Sequence, residues 1–276
     1  MMARSQSSGK LAVSVLLIGA SLLALFPLIW MVSVSLMSPQ EASRFPPPLW
    51  PSHPSFANYR DLFAHQNMGR YLLNSLFVAS LATILSLAFN VTAGYAFAKL
   101  QFKGRDKLFQ GLLAALIIPG QLSMLPLFFL LKVLGLLNSY MGVVVPFMAS
   151  LFGIFLVRQY ALGLPDEMLQ AARVDGATEW QIFRRIVLPN MTPIMATLGV
   201  FTFLSAWNDF LWPLIVLSDD RLYTLPLAVA SLSREHVQDS AMVMAGAVVT
   251  ILPVLVLFLA LQRHYVRGLL AGSVKG

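Results

Sequence analysis

The sequence predicts an all-α membrane protein with six transmembrane helices. Charged residues make up only 11% of the chain, hydrophobic ones 58%, and the mean hydropathy is +0.74. A soluble domain carries about 25% charged residues, so this chain has too few to cover a water-facing surface. The apolar residues also gather into six stretches, each long enough to cross a hydrocarbon core about 30 Å thick.

Residues 1–10 are polar and basic, and residues 11–36 apolar and uncharged. The apolar region of a cleaved signal peptide would be shorter, about 7–15 residues, and would end at a small-x-small site. Residues 11–36 are therefore read as a retained first span. Residues 37–69 are rich in Pro, Ser and His and are read as a loop with little regular structure. A second span covers 71–98 and includes Asn74, Asn90 and Thr92, and a compact basic turn follows it. The third span, 108–131, is interrupted by Pro119-Gly120 and Pro126. The fourth, 139–161, holds Pro146 and ends near Arg158. A polar stretch at 164–189 precedes the fifth span, 191–217. Residues 218–240 are polar again, 241–261 form the sixth span, and 263–276 a basic tail. One membrane domain thus accounts for residues 1–276.

An even number of spans puts both termini on one side. Thirteen of the 19 Lys and Arg residues fall on that side, among them Lys99, Lys103, Arg184 and Arg185. Cytoplasmic loops carry the excess of positive charge, so the termini and the 164–189 stretch are placed in the cytoplasm. The net charge of +7 has the same origin and calls for no nucleic acid partner.

The stretch LPDEMLQAARVDGATEWQIFRRIVLP, Leu164 to Pro189, reads as two short helices with a sharp corner between them. Pro165 suits a first helical turn, and Asp166 and Glu167 complement the helix dipole. Gly176 can take the left-handed conformation that ends a helix. Thr178 and Gln181 have the spacing of a capping box, and Pro189 is expected to stop the second helix. At 100° per residue, Trp180, Ile182, Phe183, Ile186 and Val187 share an apolar arc opposite Gln181, Arg184 and Arg185. On the first helix Ala171 and Ala172 lie side by side, where small side chains let another backbone come close. Residue pattern alone leaves two uses open. The hairpin can lie on lipid headgroups, or it can dock against a partner protein.

Several chemistries are missing. There is no GxxxxGK[ST] phosphate loop, no HExxH and no GxSxG. There are no cysteines, which removes disulfides and thiolate metal sites. The four histidines, His53, His65, His236 and His264, are scattered over loops and ends. No catalytic residues, no metal site and no cofactor bound by this chain are expected. Uphill transport would then need energy from elsewhere. An ion-coupled secondary transporter acting without an ATPase would want ionisable residues near the midplane and paired inverted repeats, neither of which is evident.

Polar residues inside spans are costly and call for a reason. Trp207-Asn208-Asp209 in the fifth span is the most informative set. It can line a passage or its outer gate, or it can serve interfacial or subunit packing.

The loop resembles the signature of ABC importer permeases, E-A-A, three residues, G, nine residues, I-x-L-P. Gln170, Ala171, Ala172, Gly176, Ile186, Leu188 and Pro189 stand at those spacings, with Gln170 in place of the first Glu. Asp175-Gly176-Ala177 also matches. The W-N-x-F-L-W-P at Trp207 to Pro213 and the ending G-L-x-x-G-x-V-K-G are similar to those of the maltose-type carbohydrate uptake family. So, more loosely, is Phe56-Ala57-Asn58-Tyr59. The resemblance implies a type I ABC importer permease fold in a bacterial inner membrane. It implies a second homologous permease, two ATPase subunits that hold ATP and Mg, and an extracytoplasmic solute-binding protein. It gives Gln170, Ala171, Ala172, Asp175, Gly176 and Ala177 to ATPase coupling, with Ile186, Leu188 and Pro189 anchoring the loop to the bundle. It also implies that Gly272, Lys275 and Gly276 of the tail reach toward the ATPases.

Overall fold

The structure, a computed structural model, describes the backbone of residues 2–235 and 239–273 and the side chains of 13–234 and 239–260. Among the described residues there are helices and no strand. The chain opens with α1 (Met2–Ser35), α2 (Pro39–Ala42), α3 (Ala57–His65) and α4 (Met68–Lys99). Then come α5 (Arg105–Ala115), α6 (Gly120–Val133), α7 (Tyr140–Met148) and α8 (Leu151–Leu162). Next are α9 (Asp166–Val174), α10 (Glu179–Ile182), a π-helical turn at Phe183–Val187 and α11 (Leu188–Asn190). The last are α12 (Thr192–Asn208), α13 (Leu211–Val216), a 3-10 turn at Asp220–Leu222, α14 (Leu225–Glu235) and α15 (Ser240–Ser273).

Four segments, 13–35, 68–99, 140–162 and 240–260, are long and apolar enough to cross a membrane. Two bent pairs make six if each is one span: α5 with α6 at 107°, and residues 179–190 with α12 at 76°. That count reaches the expected six, with the third span interrupted at Pro119 as expected and the fourth and fifth, expected to be continuous, broken as well. The third turns at Pro119, whose ring leaves no N–H to extend a helix; Pro119 is extended, with ψ 131°,. The fourth breaks at Ala149 and Ser150, where the Ser150 hydroxyl accepts the Gly153 N–H and starts α8,. The fifth ends early at Asn208, and an extended Asp209 leads into α13. The sixth runs on as helix to Ser273, through most of the expected tail. Lys275 and Gly276 lie outside the described residues, as do His236 and the side chain of His264.

The chain forms two compact units. The first comprises residues 1–69 and 228–276. There α15 packs against α1, α2 and α3, around Val34, Met37, Ala42 and Ala241. The 37–69 stretch is more ordered than its composition suggests. Ser38 caps α2, and the Glu41 carboxylate accepts both the N–H and the hydroxyl of Ser52 at 2.8 Å. Asn58 donates to the Ser35 and Met37 carbonyls, both at 2.8 Å, and Tyr59 meets the Ser35 hydroxyl at 2.7 Å. The Asn and Tyr of the F-x-N-Y thus fasten α3 to the end of α1.

The second unit comprises residues 70–227. Its core runs along α4, α8 and α12 and onto the two short helices at 166–182. Gly94 lets α4 and α8 meet closely, since a Cβ there would collide with Val157. A buried polar relay crosses this core. Asn90 donates to Ser86 Oγ at 2.7 Å, Ser86 meets Thr202 at 3.2 Å, and the Ser150 N–H donates to Asn90 Oδ1 at 3.0 Å. The last bond satisfies an amide that the break in the fourth span exposes.

Candidate functional site

The two short helices form an elbow. Pro165 sits one residue before the helix rather than inside it, with ψ 128°. Lys99, at the end of α4, reaches the Asp166 carboxylate at 2.6 Å and the Leu164 carbonyl at 2.7 Å. These bonds fix the start of α9. Its end is a Schellman turn: Gly176 has φ +80°, its N–H donates to Arg173 O, and the Ala177 N–H donates to Ala172 O, both at 3.0 Å,. The Thr178 capping box is formed, with Thr178 N–H on Gln181 Oε1 at 2.8 Å and Gln181 N–H on Thr178 Oγ1 at 3.3 Å.

Pro189 does not stop the second helix where expected. The chain passes through the π-helical turn at Phe183–Val187 and stays helical to Asn190 before bending at Met191. A π turn widens the hydrogen-bond ring by one residue and so absorbs a proline that has no N–H to give. Such turns are frequent at functional sites.

One side of the elbow is sealed onto the bundle. Leu169, Ile182, Phe183, Val187 and Met191 are buried with Val91, Tyr95 and Ala98 of α4 and Val157 and Ala161 of α8. Fully burying a side chain of this size contributes about 1.5–3 kcal/mol. Polar ties reinforce the seal. Arg173 pairs with Glu179 at 2.7 Å, joining the two short helices, and the Tyr95 hydroxyl donates to the same carboxylate at 3.3 Å. Arg158 lies over the Phe109 ring at 4.0 Å.

The other side is open. Gln170, Ala171, Asp175 and Gly176 are exposed, Ala172 and Ala177 half-buried. Ile186 and Leu188 are half-buried and Pro189 exposed. Val174, which no sequence pattern singled out, is 87% exposed. Trp180 was expected to join the apolar arc but is 64% exposed. It stacks on Phe183 from outside, 5.6 Å between centroids. A hollow of about 420 Å³, lined by Asp175, Gly176, Ala177, Gln181 and Arg185 among others, opens beside the corner. Small side chains, a left-handed corner and two exposed apolar groups thus stand together on a fixed base. The anchors Lys99, Tyr95, Arg173 and Glu179 were missed in the sequence, although Lys99 closes a span and Asp166 opens a helix.

The Arg173 guanidinium, donating to Glu179, holds that carboxyl below its ordinary value of 4.5. A group whose folded value is depressed adds stability above its unfolded value and loses it as pH falls through the folded one. The tie is therefore fully present at neutral pH and released only below about pH 4.5. Thermal unfolding of the purified chain followed from pH 7 to 3 checks this. Glu179→Gln should flatten the curve at its acid end and leave its shape between pH 7 and 5 unchanged.

The fifth-span set is divided. Trp207 is fully buried and stacks on Phe203 at 5.8 Å. Asn208 is exposed, its amide donating to the Leu204 carbonyl at 2.8 Å. Asp209 is half-buried and accepts the Trp212 N–H at 3.3 Å. In turn the Trp212 indole donates to the Gly142 carbonyl at 3.0 Å. The structure brings Asn208 and Asp209 to a helix break, with Trp207 turned into the core. Of the tail set, Gly272 lies in the last turns of α15.

Comparison with known proteins gives a consistent result. The arabinooligosaccharides transport system permease protein AraQ of Bacillus subtilis (strain 168) is 39% identical over 270 residues, 97% of this chain and 96% of that protein. The lactose transport system permease protein LacG of Rhizobium radiobacter is 37% identical over 256 residues, 93% of each chain. A chain in the crystal structure of a bacterial ABC transporter involved in the import of the acidic polysaccharide alginate has the same fold. Its TM-score is 0.84 at 24% identity, over 95% of this chain and 98% of that one. The family model described as binding-protein-dependent transport system inner membrane component matches residues 71–270. On that match and those relatives, this multi-pass membrane protein belongs to the binding-protein-dependent transport system inner membrane components.

Proposed function

We propose that this chain is the permease subunit of an ATP-driven ABC importer that moves a sugar, or a related polyol or glycerol compound, across the cytoplasmic membrane. Its partners are a second homologous permease, two ATPase subunits that bind ATP and Mg, and an extracytoplasmic solute-binding protein. Arabinooligosaccharides and lactose, named for the relatives above, support the carbohydrate class. The observation that carries the reading is the two-sided elbow, sealed to α4 and α8 behind and open at Gln170, Ala171, Asp175 and Gly176 in front. When the ATPases close on ATP, a groove that holds the open side pulls the sealed side with it, and the spans change from inward- to outward-open. The excess of Lys and Arg on the same side supports a cytoplasmic elbow and cytoplasmic termini.

The complete complex in vesicles, offered lactose or an arabinooligosaccharide, should accumulate solute only with ATP and the binding protein. This chain alone should move none. Uptake by the chain alone on an ion gradient would contradict the reading.

Asp209 offers a finer test of the passage. Its carboxylate accepts the Trp212 N–H in the first turn of α13, and losing a capping bond of this kind costs about 0.5–2 kcal/mol, too little to prevent assembly. With Asn208 and Asp209 lining the passage, Asp209→Ala should lower the uptake rate several-fold in a complex that still purifies intact. Unchanged uptake kinetics would leave Asp209 with the cap alone.

A further inference from the structure

Within the second unit, polar side chains tie α4 to its neighbours at three levels. At the elbow end, Tyr95 and Lys99 stand one helical turn apart. Lys99 holds α9 through Asp166, and Tyr95 holds α10 through Glu179. Midway, Ser86 and Asn90 grip α12 and the start of α8. At the opposite end, the Asn74 amide donates to the carbonyls of Arg221 at 3.0 Å and Tyr223 at 2.9 Å. Asn74 Oδ1 accepts the Tyr140 hydroxyl at 2.7 Å, and the adjacent Ser75 hydroxyl accepts the Leu225 N–H at 2.7 Å. Asn74 and Ser75 are 7% and 2% exposed. Both carbonyls that Asn74 serves belong to the 219–225 segment, which has no regular ladder to serve them instead.

The helices around α4 are interrupted. The third span turns by 107° and the segment leading into α12 by 76°, and the fourth breaks at Ala149 and Ser150. Among the described residues of this unit, α4 is the one unbroken helix of span length, and it contains no proline. A continuous helix passes a displacement along its axis, whereas a broken span takes it up at the break. From Asn74 to Tyr95 the distance is about 30 Å at 1.5 Å per residue.

We propose that α4 carries the elbow's movement to the 219–225 segment at its far end, and that Asn74 is the positioning residue that ties this segment to it. This rests on the elbow being the ATPase contact. It adds which span takes the stroke and what that stroke moves.

The test needs no knowledge of the solute, because the chain has no cysteine. A nitroxide on Asp220→Cys, in the complete complex with cysteine-free partners, reports the far segment. A nitroxide on Val174→Cys reports the elbow. A non-hydrolysable ATP analogue should alter both spectra. Asn74→Leu should cut the response at 220 about fivefold, a change of the size that substitutions along coupled networks produce, and leave the response at 174 intact. Lys99→Met, which removes both bonds from the end of α4 to the start of α9, should do the same from the other end. Sites this far apart ordinarily act additively. Two breaks in one member do not when the residual response reaches 220 through other contacts, so the double variant should be no worse than the more damaged single. A multiplied loss in the double variant, or an unchanged response at 220 in Asn74→Leu, would overturn the proposal. No response at 174 in the otherwise unaltered complex would instead overturn the elbow reading beneath it. If Asn74→Leu fails to assemble, Tyr140→Phe removes only the hydroxyl on Asn74 Oδ1. It should weaken the response at 220 in the same direction, and no weakening would count against α4.

Discussion

Gly176→Val should abolish coupled uptake while the ATPases continue to hydrolyse. Gly176 has φ +80°, and a Cβ built there meets nothing within 4 Å. Space is therefore not the obstacle. The left-handed conformation itself costs an L-residue about 1–2 kcal/mol, and a β-branched side chain is a genuine outlier there. The Schellman bonds from Gly176 to Arg173 and from Ala177 to Ala172 exist only in that conformation. Without them the corner at Asp175, Gly176 and Ala177 is remade, and the open surface loses its shape there even while Arg173 and Glu179 still join the two helices. Asn tolerates the left-handed region, so Gly176→Asn should keep most of the uptake. Vesicle uptake set against ATP hydrolysis separates the two. Normal ATP-dependent uptake by Gly176→Val would count against docking at this corner.

Lys99→Met should have the next largest effect, through the other end of α9. The Lys99 side chain is 6% exposed, its partner Asp166 68%. Methionine keeps the apolar stem but leaves the Leu164 carbonyl without its donor, which costs about 1–3 kcal/mol if that group stays buried. The elbow then swings on the bundle, and uptake per ATP should fall severalfold. Asp166→Asn alters only the exposed half of the pair and keeps a side-chain oxygen that can accept from the Lys99 ammonium. Its effect should be small. Equal losses in the two variants would show that the ion pair, and not the buried carbonyl bond, holds α9.

What was legible in the sequence was local. Thr178 and Gln181 are three residues apart, and Gly176 sits at a helix end, so capping box and corner follow from a handful of adjacent residues. The buried arc of Ile182, Phe183 and Val187 follows from periodicity. Trp180 shares that arc yet stays outside, because the space beneath it is already filled by Phe183. The π turn was hidden, since Pro189 reads as a stop whenever the helix before it is assumed to be regular. The break at Ser150 was hidden for a different reason: Asn90 Oδ1, from sixty residues earlier, supplies the bond its amide needs. The anchors of the elbow are of the same kind. Lys99 and Asp166 lie 67 residues apart, Tyr95 and Glu179 84, and no window of sequence joins them. The 37–69 stretch looked structureless because Pro and Ser dominate it, although those same residues open α2 and receive Glu41.

The central claim is that the open side of the elbow rests in a groove on an ATPase. Ala171→Cys, the only cysteine in an otherwise cysteine-free chain, tests it most directly. With a short thiol crosslinker and a cysteine placed along the ATPase groove, the complete complex should give a permease–ATPase adduct whose yield changes when ATP binds. Labelling of that cysteine by a lipid-soluble reagent alone, with no adduct to an ATPase in any nucleotide state, would contradict the account.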